Sequence, residues 1–311
     1  MKNTKISIVI PVYNSSLNLK NLIDSLYDVL KNNFTAYEVV LIDDMSDDDS
    51  WKEINNICIS YRWIKALRLR QNIGQHNAIQ TGLKYATGDL IITMDDDGQN
   101  SPKDIISLVS AIEDNYDVCY ADYPVKKHNL LRKFFSYVNN LVVSLLFNKP
   151  YKLKLTSFRC FTSQIKNELL KNKSSSVYLD GLIISITRNI TSVPVEHNER
   201  IYGKSNYTFI KLFSLWLQMF TGFSVKPLRL ASILGIIFSA TSFLVTFWMV
   251  FFRSPSSEVP MGWTSIIVVI IFFGGVQLLA LGLIGEYLGR TYLTVNNQSS
   301  NSIKEKINLK E

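Results

Sequence analysis

The chain has 311 residues, with 33 Lys and Arg against 26 Asp and Glu, a net charge of +7. At 47% hydrophobic and 19% charged it is not a disordered chain, and its length leaves room for one large or two modest domains. Three widely spaced cysteines, Cys58, Cys119 and Cys160, exclude a disulfide framework or a zinc-ligand spacing and read as core thiols.

From residue 6 the pattern alternates strand and helix. Ile6–Pro11 is a buried strand ended by proline. Asn18–Leu30 is an amphipathic helix, with Leu19, Leu22, Ile23, Leu26, Val29 and Leu30 at helical spacing. Tyr37–Ile42 is a second strand, closed by Asp43 and Asp44. Ile64–Leu69 is a third, Asn77–Tyr85 a helix, and Leu90–Met94 a fourth strand that again ends in acid. Continuous apolar strands alternating with helices predict an α/β domain whose mainly parallel sheet is covered on both faces. Ligands of such sheets sit beyond the carboxyl ends of the strands. The clusters Tyr13-Asn14, Asp43-Asp44 and Asp95-Asp96-Asp97 all fall at those ends.

The apolar residues concentrate late in the chain. Leu230–Phe252 and Gly262–Ile284 carry no charge. At ~1.5 Å per residue each reaches roughly 35 Å, enough for a ~30 Å hydrocarbon core. The short connector 253–261 makes the pair a transmembrane hairpin with both ends on one side. Lys204, Lys211, Lys226 and Arg229 before it, and Arg290, Lys304, Lys306 and Lys310 after it, place both ends in the cytoplasm. The domain boundaries expected are therefore 1–206 for the α/β domain and 207–227 for an aromatic-rich amphipathic helix at the membrane surface. The hairpin follows at 228–290, and 291–311 is a polar, frayed cytoplasmic tail.

Asp95-Asp96-Asp97 is the sharpest chemical signal. Adjacent carboxylates repel one another and are rarely placed together without a cation. On an extended segment, residues 95 and 97 point one way and 96 the other. Asp95 and Asp97 can thus share a Mg²⁺ or Mn²⁺ ion, with Gln99 on the same side, the metal bridging to a substrate diphosphate. Asp43 or Asp44 can accept hydrogen bonds from a base or ribose, and Tyr13 can stack on the base. Asp47–Asp49 reads as a helix N-terminus.

The segments IVIPVYN (8–14), LIDDMSDDD (41–49), GQHNAIQTGLKYATGDLIITMDDDGQNSP (74–102), RIYGKSNY (200–207) and GLIGEYLGR (282–290) occur in this order. Together they resemble glycosyltransferase family 2. More narrowly, they are similar to the bacterial polyprenyl-phosphate glycosyltransferases with a two-helix membrane anchor, relatives of the dolichyl-phosphate mannose and glucose synthases. The resemblance implies a GT-A fold and inverting, metal-dependent transfer of a sugar from a nucleotide-sugar, by expectation a UDP-sugar. The implied acceptor is a polyprenyl phosphate, usually undecaprenyl phosphate. Pro11 and Tyr13 would shape the base pocket, and Asp43, Asp44 and Asp96 would line the nucleotide-sugar site. Asp95 and Asp97, with Gln99, would hold Mg²⁺ or Mn²⁺. Arg200 and Lys204 would grip donor phosphates. Lys126, Lys127, Arg132, Lys133 and Ser136 would receive the lipid phosphate. The acid that often precedes the S-x-F-R stretch is absent from Leu153–Thr156, which leaves Asp180 as the acid to consider for catalysis. The resemblance also implies a bacterial inner-membrane enzyme with no nucleic-acid partner, and it admits homo-oligomerisation and hand-over of product to a lipid-sugar flippase. Two other readings are a processive polysaccharide synthase and a silent membrane-anchored sugar-nucleotide binder. The first usually carries Q-x-x-R-W after the acidic cluster, and none follows Asp97; the second is disfavoured by the intact Asp95/Asp97 pair.

Overall fold

The computed structural model describes residues 4–123, 153–171, 178–195, 262–295 and 302–309, with a few isolated positions between 233 and 244. The chain separates into two compact units, Met1–Thr208 with Asn297–Glu311, and Phe209–Asn296.

The first unit is built on β1 (Lys5–Val12), α1 (Ser16–Asn33), β2 (Ala36–Asp43), α2 (Ser50–Ser60), β3 (Ile64–Leu69), α3 (Gln75–Leu83) and β4 (Leu90–Thr93). It continues with α4 (Asp104–Glu113), β5 (Val118–Asp122), β6 (Arg159–Thr162), α5 (Ser163–Lys171), α6 (Leu179–Ile186) and β7 (Ile190–Pro194). One eight-stranded sheet runs β7-β5-β6-β4-β1-β2-β3-β8, where β8 is Ile303–Ile307. β1 pairs parallel with β2 and β4, and β2 parallel with β3. β6 is antiparallel to β4 and β5.

The continuous apolar strands follow from burial on both faces. Ile6, Ile8, Ile10 and Val12 pack with α1, α2 and α4. Val9, Val40 and Ile42 pack on the other side with α3, α5 and α6. α3 lies so close that a Cβ on Gly82 would sit 2.5 Å from Ile42 Cδ1. The three cysteines are free and buried, as expected.

Ser7 interrupts the apolar run for a reason. Its hydroxyl donates to Glu38 (2.6 Å), which also accepts from Thr87 N (2.6 Å) and sits 2.8 Å from Lys65 Nζ. Burial would raise the Glu38 carboxyl, but the hydrogen bonds from Lys65, Ser7 and Thr87 outweigh it and bring it down from 4.5 to about 2. A depressed carboxylate stabilises the fold above its unfolded value and loses that contribution as pH falls towards its folded one. Glu38→Gln should therefore cost about 3 kcal/mol near neutrality. Thermal midpoints of the two proteins should converge between pH 4.5 and about 2; a gap unchanged across that window would refute the assignment.

The tail departs from expectation. Residues 303–307 form β8, antiparallel on the outer edge of β3 with Arg68 opposite Glu305. The Asn308 side chain donates to Cys58 O (3.0 Å) and Ile64 O (2.8 Å), fastening the strand beyond its end. An edge strand needs only a neighbour with free backbone groups, so the charged sequence IKEKI suits it.

In the second unit, α7 (Trp263–Val295) runs 33 residues, past the end expected for the second apolar stretch. Ile266, Val269, Ile270, Leu278, Leu281, Ile284, Leu288 and Tyr292 are exposed along it. Among the described residues, which omit several α7 side chains and most of the first apolar stretch, no helix counts as long and apolar enough to cross a membrane. The surface helix 207–227 and the connector 253–261 lie outside the described residues.

Candidate active site

Three strand ends meet on one edge of the sheet because β1, β2 and β4 run parallel in adjacent positions. Their loops are latched together. Asn14 N donates to Ser46 Oγ (3.0 Å), Asp47 N to Asn14 Oδ1 (2.9 Å), and Tyr13 N to Asp96 Oδ2 (3.1 Å). Asn14, Met45 and Gly98 adopt positive φ of 54°, 59° and 75°, one sharp turn in each loop. Pro11 is the residue of β1 opposite Ile42, and Tyr13 beyond it is 39% exposed, which leaves its ring free to stack.

The three acids of the triplet lie just beyond the end of β4 and take different partners. Asp95 accepts from the side chains of Gln75 and Ser157. Asp96 accepts from Tyr13 N. Asp97 accepts from Gln99 N (3.0 Å) across the turn at Gly98. Burial pushes Asp95 above its ordinary value, and Asp97 nearby adds to the rise. Burial also raises Asp96, to about 6, against the hydrogen bonds from Ser15 and Tyr13. Among the described residues no three His, Cys, Asp or Glu side chains converge on one metal position. Two neighbouring half-buried carboxylates fit a hard cation that keeps several waters and takes the rest of its ligands from a diphosphate.

Asp43 and Asp44 have separate tasks. Asp44 is 3% exposed, and its two oxygens accept from Ile73 N (2.8 Å) and Gly74 N (2.9 Å). It holds the turn into α3 through both oxygens. Asp43 accepts from Ser46 N (3.1 Å) through Oδ1, while Oδ2 lies 3.2 Å from Arg68 Nε without a hydrogen bond. Asp48 accepts from Ser16 N (3.1 Å) and Ser50 N (2.9 Å), so this acid serves the starts of both α1 and α2.

Asp180 is also corrected. It is 6% exposed, ion-paired with the buried Arg159, and accepts from Tyr120 OH (3.0 Å). A carboxylate held by a guanidinium and a phenol in the core is an anchor, not a free base. Arg159 Nε in turn donates to Thr93 Oγ1 (3.2 Å), and Thr93 Oγ1 to Ser157 O (2.6 Å). Because β6 runs antiparallel to β4, the residues entering β6 lie beside the end of β4. This places Ser157 against Asp95 and links the core ion pair to the acidic cluster. His76 sits edge-on to Tyr178 at 5.4 Å, and burial lowers it to about 4, so it is neutral near pH 7.

Sequence reasoning missed the supporting roles of Ser157, Gln75, Ser46 and Arg68. Gln75 and Ser157 stand in the GQHNA and S-x-F-R stretches, but their partners come from other strands. Arg200, Lys204, Lys126, Lys127, Arg132, Lys133 and Ser136 lie outside the described residues.

Residues 7–171 match the family model for glycosyl transferase family 2. The undecaprenyl-phosphate 4-deoxy-4-formamido-L-arabinose transferase of Proteus mirabilis (strain HI4320) is 31% identical, over 100% of this chain and 96% of its own length. The transferase of the same name from Yersinia enterocolitica serotype O:8 is 33% identical over 94% and 90%. Glucosyl-3-phosphoglycerate synthase of Mycobacterium tuberculosis, solved with Mn²⁺, uridine diphosphate and phosphoglyceric acid, superposes with a TM-score of 0.53 at 16% identity. That likeness covers 70% of this chain and 77% of the other, and it is one of fold. The chain belongs to glycosyl transferase family 2.

Proposed function

We propose that this protein transfers a sugar, with inversion, from a nucleotide-sugar to undecaprenyl phosphate or a similar polyprenyl phosphate at the cytoplasmic face of the bacterial inner membrane. The observation that carries this reading is the near full-length likeness to transferases named for that acceptor, in a chain whose strand-end carboxylates are all in place. The donor takes its place over the sheet edge, with the base beside Pro11 and Tyr13 and its polar edge or ribose on Asp43. Asp95 and Asp97, with Gln99, hold Mg²⁺ or Mn²⁺, whose charge offsets that of the departing nucleoside diphosphate. Gln75 and Ser157 keep Asp95 oriented. Arg200 and Lys204 meet the donor phosphates. Lys126, Lys127, Arg132, Lys133 and Ser136 meet the lipid phosphate and aim its oxygen at the anomeric carbon. A phosphate is already anionic near neutral pH, so positioning and charge stabilisation suffice without a strong base.

The membrane assignment rests on the two uncharged stretches 230–252 and 262–284 and on the exposed apolar side chains of α7. A reporter fused after Glu311 should read cytoplasmic and one inserted in 254–261 periplasmic. A cytoplasmic connector would overturn the hairpin.

The function is tested with purified full-length protein in detergent, undecaprenyl phosphate, Mn²⁺ and a panel of UDP-, GDP- and dTDP-sugars. Nucleotide release should depend on the lipid and be matched by sugar in solvent-extractable product. Release without lipid-linked sugar, or none with any donor, would reject the proposal.

A further inference from the structure

The last strand of the chain reaches the site. β8 places Glu305 directly opposite Arg68 on β3, with Glu305 Oε1 3.4 Å from Arg68 Nη1. Trp51 Nε1 donates to the other oxygen of Glu305 (3.2 Å), and the Trp51 ring lies 5.6 Å from the Arg68 guanidinium carbon. Arg68 is thus held on two sides, by Glu305 from β8 and by Trp51 at the start of α2. Its Nε faces Asp43 Oδ2 at 3.2 Å, the buried oxygen that has no hydrogen-bond partner. Asp43 is fully buried at the end of β2, so its orientation depends on the few groups that reach it: Ser46 on one oxygen and Arg68 beside the other.

We infer that Glu305 is a positioning residue for the nucleotide site, acting through Arg68 on Asp43, so that docking of the C-terminal strand sets donor affinity. The inference rests on the reading of Asp43 as a nucleotide contact. Glu305 anchors one end of the guanidinium and Trp51 covers its face, which directs Nε toward Asp43. With the anchor gone, Arg68 is free to turn to solvent, and Asp43 loses the cation beside its buried Oδ2. The Glu305 side chain is 45% exposed, so its removal should act on orientation more than on stability.

The test uses the full-length protein in detergent with UDP and Mn²⁺ as probe, read by calorimetry alongside thermal midpoints and transfer kinetics with the best donor. Glu305→Gln keeps an acceptor for Trp51 and removes the charge. It should weaken UDP binding about five- to tenfold and raise the donor KM, with kcat at saturating donor and the thermal midpoint nearly unchanged. In an Arg68→Gln background the same change should add nothing, because the path runs through Arg68. Asp43→Asn is the control. If Asp43→Asn weakens UDP binding and Glu305→Gln does not, the inference falls and the Asp43 reading stands. If Asp43→Asn leaves UDP binding intact, both fall. An equal loss from Glu305→Gln with and without Arg68, or a fall in kcat at constant donor KM, also overturns it.

Discussion

Asp95→Asn and Asp97→Asn should each lower sugar transfer by more than about two orders of magnitude, the loss expected when a ligand to a diphosphate-bridging cation is removed. Each carboxylate is held by a neighbour that fixes its direction. Gln75 and Ser157 hold Asp95, and the Gln99 amide holds Asp97. An amide oxygen keeps one accepted bond at each position, its NH2 group can donate to the Ser157 hydroxyl in place of the other bond at 95, and the charge that a divalent ion needs is gone. The folded state should therefore survive, and thermal midpoints should hold or rise, since burial and like charge disfavour ionised Asp95 in the absence of metal. Asp96→Asn should be milder in transfer, because its oxygen serves Tyr13 N and an amide oxygen accepts the same bond. Chelation should abolish transfer, and Mg²⁺ or Mn²⁺ should restore it. Full activity in chelator, or wild-type rates in both Asn variants, would remove the metal from this site.

The largest loss of stability should come from the Arg159–Asp180 pair. Arg159 is 1% exposed, and Asp180 is its only ion-pair partner among the described residues. Removing one member leaves the other charged, desolvated and alone, which costs about 3–5 kcal/mol. Arg159→Ala adds a cavity between Tyr120 and Thr93, and it frees Ser157 O from an ordered Thr93. Midpoints of Arg159→Ala and Asp180→Ala should fall by about 10 °C, with transfer reduced in step with the folded fraction. Asp180→Asn separates the structural reading from a catalytic one. A lowered midpoint with near-normal turnover per folded molecule supports the anchor. A wild-type midpoint with turnover abolished would mean that Asp180 acts on substrate after all.

The alternating frame was legible because it is written in local chemistry. Buried parallel strands must be apolar throughout, so Ile6–Pro11, Tyr37–Ile42, Ile64–Leu69 and Leu90–Met94 stand out, and their carboxyl ends mark where a ligand sits. Other assignments depended on contacts across long sequence separations. Asp43 and Asp44 are neighbours with equal chemistry, and only the placement of the Ile73-Gly74 turn on one side and of Ser46 and Arg68 on the other gives each its own partners. Asp180 looked like a spare acid until the antiparallel β6 carried Arg159 into the core against it. The segment IKEKI has the composition of a solvated tail, and its own propensity does not make it a strand. The open edge of β3, Arg68 opposite Glu305 and the Asn308 side-chain bonds do so. Sequence by itself determined the first four strands, two of the helices between them and the acidic ends of the sheet, because burial and periodicity act residue by residue. Which partners each carboxylate takes, which acid anchors the core and where the last strand docks were decided by tertiary structure, because each depends on a partner brought from elsewhere in the chain.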